Sequence, residues 1–225
     1  MRTFGLIGYP LTHSFSKKYF TEQFDREGTA DCKYELFSLN SITGLVSLLA
    51  EENTLRGLNV TIPHKVNVLP YLNELDDAAA KIGAVNCVAI KSVDNKPYLK
   101  GYNTDAYGFA ESLKPLLKAH HTKALVLGNG GAAKAVKYVL DQLGITYELV
   151  VRTAVAGAIT YEEVTADLIS THQLIINTTP LGMYPDIAAA PSIPYELLTG
   201  AHIAYDLVYT LKKLLFYKKQ KPAAR

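Results

Sequence analysis

Leu125-Val126-Leu127-Gly128-Asn129-Gly130-Gly131-Ala132-Ala133 reads as a short apolar strand, a glycine turn and the opening of a helix. That succession aims backbone N–H groups and the positive end of a helix dipole at one point, as where dinucleotide-binding folds hold a pyrophosphate. Gly128 serves the tight turn, Gly130 lets phosphates approach the backbone, and small Ala132 lets the helix pack near the strand. The pattern is GxGGAA, with Ala133 at the third glycine position. A glycine cluster alone also suits a plain tight turn, but the strand before it and the helix after it favour a nucleotide.

The second clue lies about 20 residues further on, where an NAD site usually places a carboxylate for the ribose hydroxyls. Here the strand at residues 146–152 ends in Val150-Val151-Arg152-Thr153. An arginine fork offers paired donors to a 2′-phosphate and leaves no carboxylate to repel it. The expected cofactor is therefore NADP rather than NAD.

Outward from this loop, strand-like and helix-like segments alternate along the chain. Strands are expected at residues 3–8, 33–39, 55–62, 84–91, 97–102, 123–127, 146–152, 174–177 and 202–207. Helices are expected between Ser14 or Ser16 as N-cap and Gly28, and over residues 41–51, 73–82, 104–118 and 132–143. Asp94-Asn95 should turn one strand into the next. Such alternation predicts an α/β protein with parallel sheets, in two lobes, and the polar stretch 118–123 is a plausible joint. The domains are set at residues 1–103, 104–210 (Rossmann-type) and a short basic segment, 211–225.

Composition narrows the class further. With 225 residues, 48% hydrophobic and 20% charged, the chain is neither disordered nor low-complexity. No apolar run is long enough to span a bilayer, and the N-terminus lacks a secretory pattern, so a cytoplasmic protein is expected. Cys32 and Cys87 build no disulfide framework or metal-binding motif. The net charge of +2 conceals a basic end: residues 212–225 carry six basic side chains and no acid, leaving 17 basic against 21 acidic elsewhere. A mildly acidic body argues against a nucleic-acid surface. No membrane partner is expected, and a monomer or homodimer is.

The first lobe carries three polar clusters: Ser14-Phe15-Ser16, Asn59-Val60-Thr61-Ile62-Pro63-His64-Lys65 and Asn103-Thr104-Asp105. Singly, each reads as a helix cap or a turn. In order, together with Gly8-Tyr9-Pro10-Leu11, Gly83-Ala84-Val85-Asn86, Gly128–Ala133, Asn177-Thr178-Thr179-Pro180-Leu181-Gly182 and Tyr205-Asp206-Leu207-Val208-Tyr209, they closely resemble shikimate dehydrogenases over residues 3–209. The resemblance implies two α/β lobes with an active-site cleft between them, and NADP-dependent, reversible reduction of 3-dehydroshikimate to shikimate in aromatic amino-acid biosynthesis. It implies a substrate-binding first lobe, with Ser14 and Ser16 on the substrate carboxylate and Thr61, Asn86 and Asp105 on the ring hydroxyls. Tyr209 would reach the substrate from the second lobe, and Lys65 and Asp105 would form the catalytic acid–base pair. Gly128, Asn129, Gly130, Gly131 and Ala132 would cradle the pyrophosphate with Thr178 beside them, and Arg152 and Thr153 would hold the 2′-phosphate. These residue types suit the chemistry. Hydride addition to a ketone leaves an alkoxide that must gain a proton, and a polyhydroxylated acid needs many donors and acceptors.

Three departures from the family pattern qualify this expectation. Val151 and Ala156 stand where an asparagine and a second basic residue often flank the arginine, which would weaken NADP selectivity. Lys17 replaces a proline after the second serine. The family's closing helix, which carries a substrate-contacting glutamine, has no counterpart in residues 210–225, and Gln220 is not equated with it. The alternatives are a quinate/shikimate dehydrogenase of relaxed cofactor use and a non-catalytic shikimate- or nucleotide-binding protein disabled by that altered end.

Overall fold

Short buried strands joined by amphipathic helices close into two α/β units, Met1–Asp105 and Ala106–Arg225, in the computed structural model. The structure describes residues 1–12, 14–183 and 186–208. Among the described residues no helix is long and apolar enough to cross a membrane. Nor is any group of three or more His, Cys, Asp or Glu placed to hold a metal.

In the first unit β1 (Arg2–Gly8), β2 (Cys32–Ser38) and β3 (Leu55–Val60) are parallel, with β1 in the middle. Parallel neighbours need crossovers, and α1 (Ser16–Glu27) and α2 (Gly44–Glu51) supply them. Successive residues of β1 face opposite sides: Leu6 packs with Tyr34, Phe20 and Phe24, the latter two from α1, and Ile7 packs with Leu45 and Leu48 of α2. A helix thus covers each face of the sheet. α1 ends at Gly28, whose φ of 66° is the left-handed cap that stops a helix. Its N-cap position falls on Phe15 instead of a serine, because the Ser14 hydroxyl accepts from the Ser16 N–H and closes a local turn ahead of the helix.

The rest of this sheet is mixed. β5 (Cys87–Val93) runs antiparallel to β3, and β6 (Lys96–Tyr102) antiparallel to β5. Asp94 and Asn95, with φ of 50° and 59°, form the tight turn between them that the sequence suggested. The helix expected at 73–82 starts late. The Asn73 N–H donates to Leu99 O while Asn73 Oδ1 accepts from the Leu99 N–H, and β4 (Glu74–Leu75) pairs in parallel with β6, so only α4 (Asp77–Ile82) is helical. Asp76 caps it by accepting from the Ala79 N–H at 2.7 Å. α3 (His64–Asn67), one turn long, follows β3, and α5 (Thr104–Leu113) follows β6.

The second unit is a parallel sheet in the order β11-β10-β7-β8-β9. Its strands are β7 (Lys123–Leu127), β8 (Thr146–Val151), β9 (Ile159–Thr160), β10 (Leu174–Asn177) and β11 (Ile203–Asp206). β7 and β10 are its centre: Leu125, Leu127, Leu174 and Ile175 are fully buried, as strands covered on both faces require. α6 (Gly131–Gln142) turns Ala133, Val136, Val139 and Leu140 inward. β9 and α7 (Ala166–Thr171) were not apparent in the sequence. From β7 the chain passes to β8 and β9 on one side and then crosses to β10 on the other. The strand order therefore reverses between β7 and β10, which opens a crevice beyond their carboxyl ends.

Candidate active site

Strand direction brings the first lobe's polar clusters to one edge. β1, β3 and β6 end where β5 begins, so the segments that follow or precede them emerge at the same side of the sheet. Tyr9 N–H donates to Ile62 O at 3.0 Å and Thr61 N–H to Ile7 O at 2.9 Å, which holds the loops after β1 and β3 together. A Cβ on Gly8 would come within 2.4 Å of Thr61 Cγ2, so only glycine lets the Thr61 side chain lie there.

Lys65, in α3, donates from Nζ to Asp105 Oδ2 at 2.6 Å, although 40 residues separate them. The second carboxylate oxygen, Asp105 Oδ1, accepts from Asn86 Nδ2 at 2.7 Å. Asn86 Oδ1 accepts in turn from the Thr104 N–H at 2.8 Å, which caps α5 from outside the helix. Asn86 is itself fixed by its backbone, its N–H to Tyr102 O and its carbonyl to the Val60 N–H. The Asp105 carboxylate is thus oriented from both sides, one oxygen by a cation and one by an amide. The side chains of Lys65 and Asp105 keep 19% and 34% of their exposure, enough for a solute to reach the pair. Lys65 has two further N–H bonds to offer.

Bonds among the described residues thus gather Lys65, Asn86 and Asp105 into one group and join Ser14 and Ser16 into another. Thr61 lies against the loop after β1, and its carbonyl accepts from the His64 N–H at 2.9 Å. Tyr209 lies outside the described residues.

His64 belongs to the Asn59–Lys65 cluster, but the sequence assigns it no role of its own. It is buried beside Lys65, with Nε2 donating to Leu39 O at 2.6 Å and Nδ1 without a partner. Its position between a proline and a lysine reads as exposed turn, and nothing local signals the burial.

In the second unit Gly128 leaves β7 with φ of 104°, a conformation that favours glycine. A Cβ there would meet Thr178 Oγ1 at 2.9 Å and Thr179 Cγ2 at 3.0 Å. Gly130 is the N-cap of α6, and a Cβ added to it would meet nothing within 4 Å. The space at the Gly130 Cβ position is thus open, and a phosphate bound at a helix N-terminus needs such room for approach. Asn129 is exposed, and Gly131 and Ala132 form the first turn of α6. Thr178 closes the other side of the turn, donating through N and Oγ1 to Leu127 O at 3.0 and 2.7 Å. Arg152 and Thr153 follow β8 directly and are exposed. Arg152 sits close enough to Tyr161 to oppose the burial that raises that phenol's pKa. An open cradle at a helix N-terminus, with a free-reaching guanidinium at the next strand's end, fits a phosphorylated dinucleotide.

Comparison with known proteins places these features in a wider set. Residues 6–88 match the family model for the shikimate dehydrogenase substrate binding domain. The NADP(+) shikimate dehydrogenase of Clostridium beijerinckii is 37% identical over 235 residues, covering 97% of this chain and 82% of the relative. That of Methanosphaera stadtmanae is 32% identical over 236 residues, covering 96% and 81%. Among solved structures, shikimate dehydrogenase from Aquifex aeolicus superposes with a TM-score of 0.82 at 30% identity, covering 98% of this chain and 83% of that one. The Thermus thermophilus enzyme in complex with NADP(H) and shikimate gives 0.79 at 32% identity, covering 97% and 83%.

Proposed function

We propose, from the premise that the chain belongs to the shikimate dehydrogenase family, that it interconverts 3-dehydroshikimate and shikimate with NADP. The observation that carries the reading is the Lys65–Asp105–Asn86 group of the first unit, and the second unit carries a helix-terminal glycine cradle of the nucleotide-binding kind. The first domain binds the substrate and the second the nucleotide.

Bound NADPH supplies the hydride. The chain's own residues do the rest. As hydride arrives, the ketone oxygen becomes an alkoxide. The Lys65 ammonium stabilises that charge, and the Lys65/Asp105 pair delivers the proton. Asp105, held at Oδ1 by Asn86 and at Oδ2 by Lys65, keeps the amine aimed and accepts from a ring hydroxyl. Asn86 and Thr61 hold the remaining ring hydroxyls, and the Ser14 and Ser16 hydroxyls hold the carboxylate. In the reverse direction the pair removes the hydroxyl proton. The Gly128–Ala132 segment and Thr178 hold the pyrophosphate side of the cofactor, while Arg152 and Thr153 hold the 2′-phosphate.

Specificity is tested by initial rates for shikimate and quinate with NADP and NAD. The NADP–shikimate pair is expected to have the largest kcat/KM. Arg152→Ala removes a charge-assisted contact of about 1.5–3 kcal/mol, so the NADP-over-NAD preference should fall roughly 10- to 100-fold. An unchanged preference in that variant would take Arg152 out of the site.

A further inference from the structure

The pair of buried Asn177 and partly buried Asp206 is left unused by the reaction just described, although both lie at the crevice edge of the second unit. The two residues are partners across β10 and β11. Asn177 is fully buried. Its Oδ1 accepts from the Thr179 N–H at 3.0 Å and from Thr179 Oγ1 at 2.6 Å. The Thr179 N–H can only donate and so demands an oxygen, which turns the amide nitrogen the other way, where it donates to Asp206 Oδ1 at 3.0 Å. The same Oδ1 accepts from the Val208 N–H at 2.9 Å.

An ionised carboxylate offers only acceptors. It therefore permits one orientation of the Asn177 amide and rejects the flipped one. Burial pushes the Asp206 carboxyl up to about 6, opposed by the bonds from Val208 and Asn177. Above that value the group is ionised and acceptor-only. From Asn177 the chain of contacts continues outward. Thr178 donates to Leu127 O, and Thr178 Oγ1 and Thr179 Cγ2 are the atoms nearest the missing Cβ of Gly128.

We infer that Asp206 is a positioning residue for the nucleotide: by fixing the Asn177 amide it sets the Thr178–Thr179 wall that closes the Gly128 turn. It touches no cofactor atom itself. The inference rests on the reading of the Gly128 loop as the nucleotide cradle.

The test is calorimetric titration of the full chain with NADP, with kcat measured at saturating NADP and shikimate. Asp206→Ala should weaken NADP binding tenfold or more while leaving kcat within about threefold. Asp206→Asn retains Oδ1 and should bind within about threefold of the parent. Asn177→Ala should match the loss of Asp206→Ala, and the double variant should be no weaker than either, because one link is broken in each. Should Asp206→Ala fail to fold, Asn177→Ala and Asp206→Asn test the same link. Parent-like binding in Asp206→Ala or in Asn177→Ala, or losses that multiply in the double variant, would overturn the inference alone. A folded parent that does not bind NADP would instead remove the cradle reading on which it rests.

Discussion

Replacing Lys65 by alanine should lower kcat for shikimate oxidation by about 10²–10⁴-fold, the range typical of removing a positioned acid–base group. The loss follows from the geometry. Lys65 Nζ is the cation 2.6 Å from the Asp105 carboxylate, and in the proposed reaction it is the group that meets the alkoxide. The fold should survive, since Asp105 remains bonded to Asn86 and keeps 34% of its side-chain exposure. A partly exposed ion pair contributes on the order of 1 kcal/mol or less to stability, so the unfolding midpoint should move by only a few degrees. NADP affinity should be unchanged, because the proposed nucleotide cradle belongs to the second unit. A variant that turned over normally but melted early would make the Lys65–Asp105 bond a structural brace and nothing more.

The second large effect is expected at Gly128. Alanine there meets two obstacles at once: a φ of 104° that L-residues rarely adopt, and Thr178 Oγ1 at 2.9 Å from the new methyl. Relieving either displaces the turn or the threonines against it. Strain of this kind costs about 1–3 kcal/mol, and the displaced cradle should lower NADP affinity at least tenfold. Gly144 provides the control. It has φ of 68° and open space around its Cβ position, so Gly144→Ala should cost about 1 kcal/mol of stability and leave NADP binding intact. Equal NADP affinity in the Gly128 and Gly144 variants, measured by titration, would separate the turn from nucleotide binding.

Much of this arrangement was legible in the chain because it is local. The strand, glycine turn and helix at residues 123–143 are contiguous, and each signals itself through apolar run, glycine and amphipathic period. The turn at Asp94-Asn95 is likewise written in residues that tolerate positive φ. What escaped is set by partners distant in sequence. Residues 73–75 have helical neighbours, yet Asn73 bonds to Leu99 and draws Glu74 and Leu75 into the sheet. The antiparallel course of β5 depends on which strand it meets, and no run of alternating residues declares that.

The site divides in the same way. Lys65 and Asp105 were picked out by the order of motifs that resembles a family. Their meeting is a consequence of β5 and β6 reversing direction, which local patterning does not reveal. The Asn177–Asp206 link was quoted in the motifs but had no role, because a strand-end aspartate reads as exposed. Only the parallel register of β10 and β11 sets it against a buried amide.

The most direct measurement of the central claim is the initial rate of NADP reduction by the 225-residue chain at saturating shikimate, in a sample shown to be folded and to bind NADP. The account expects a saturable, shikimate-dependent rate. A folded chain that binds NADP and shikimate yet forms no NADPH would contradict it.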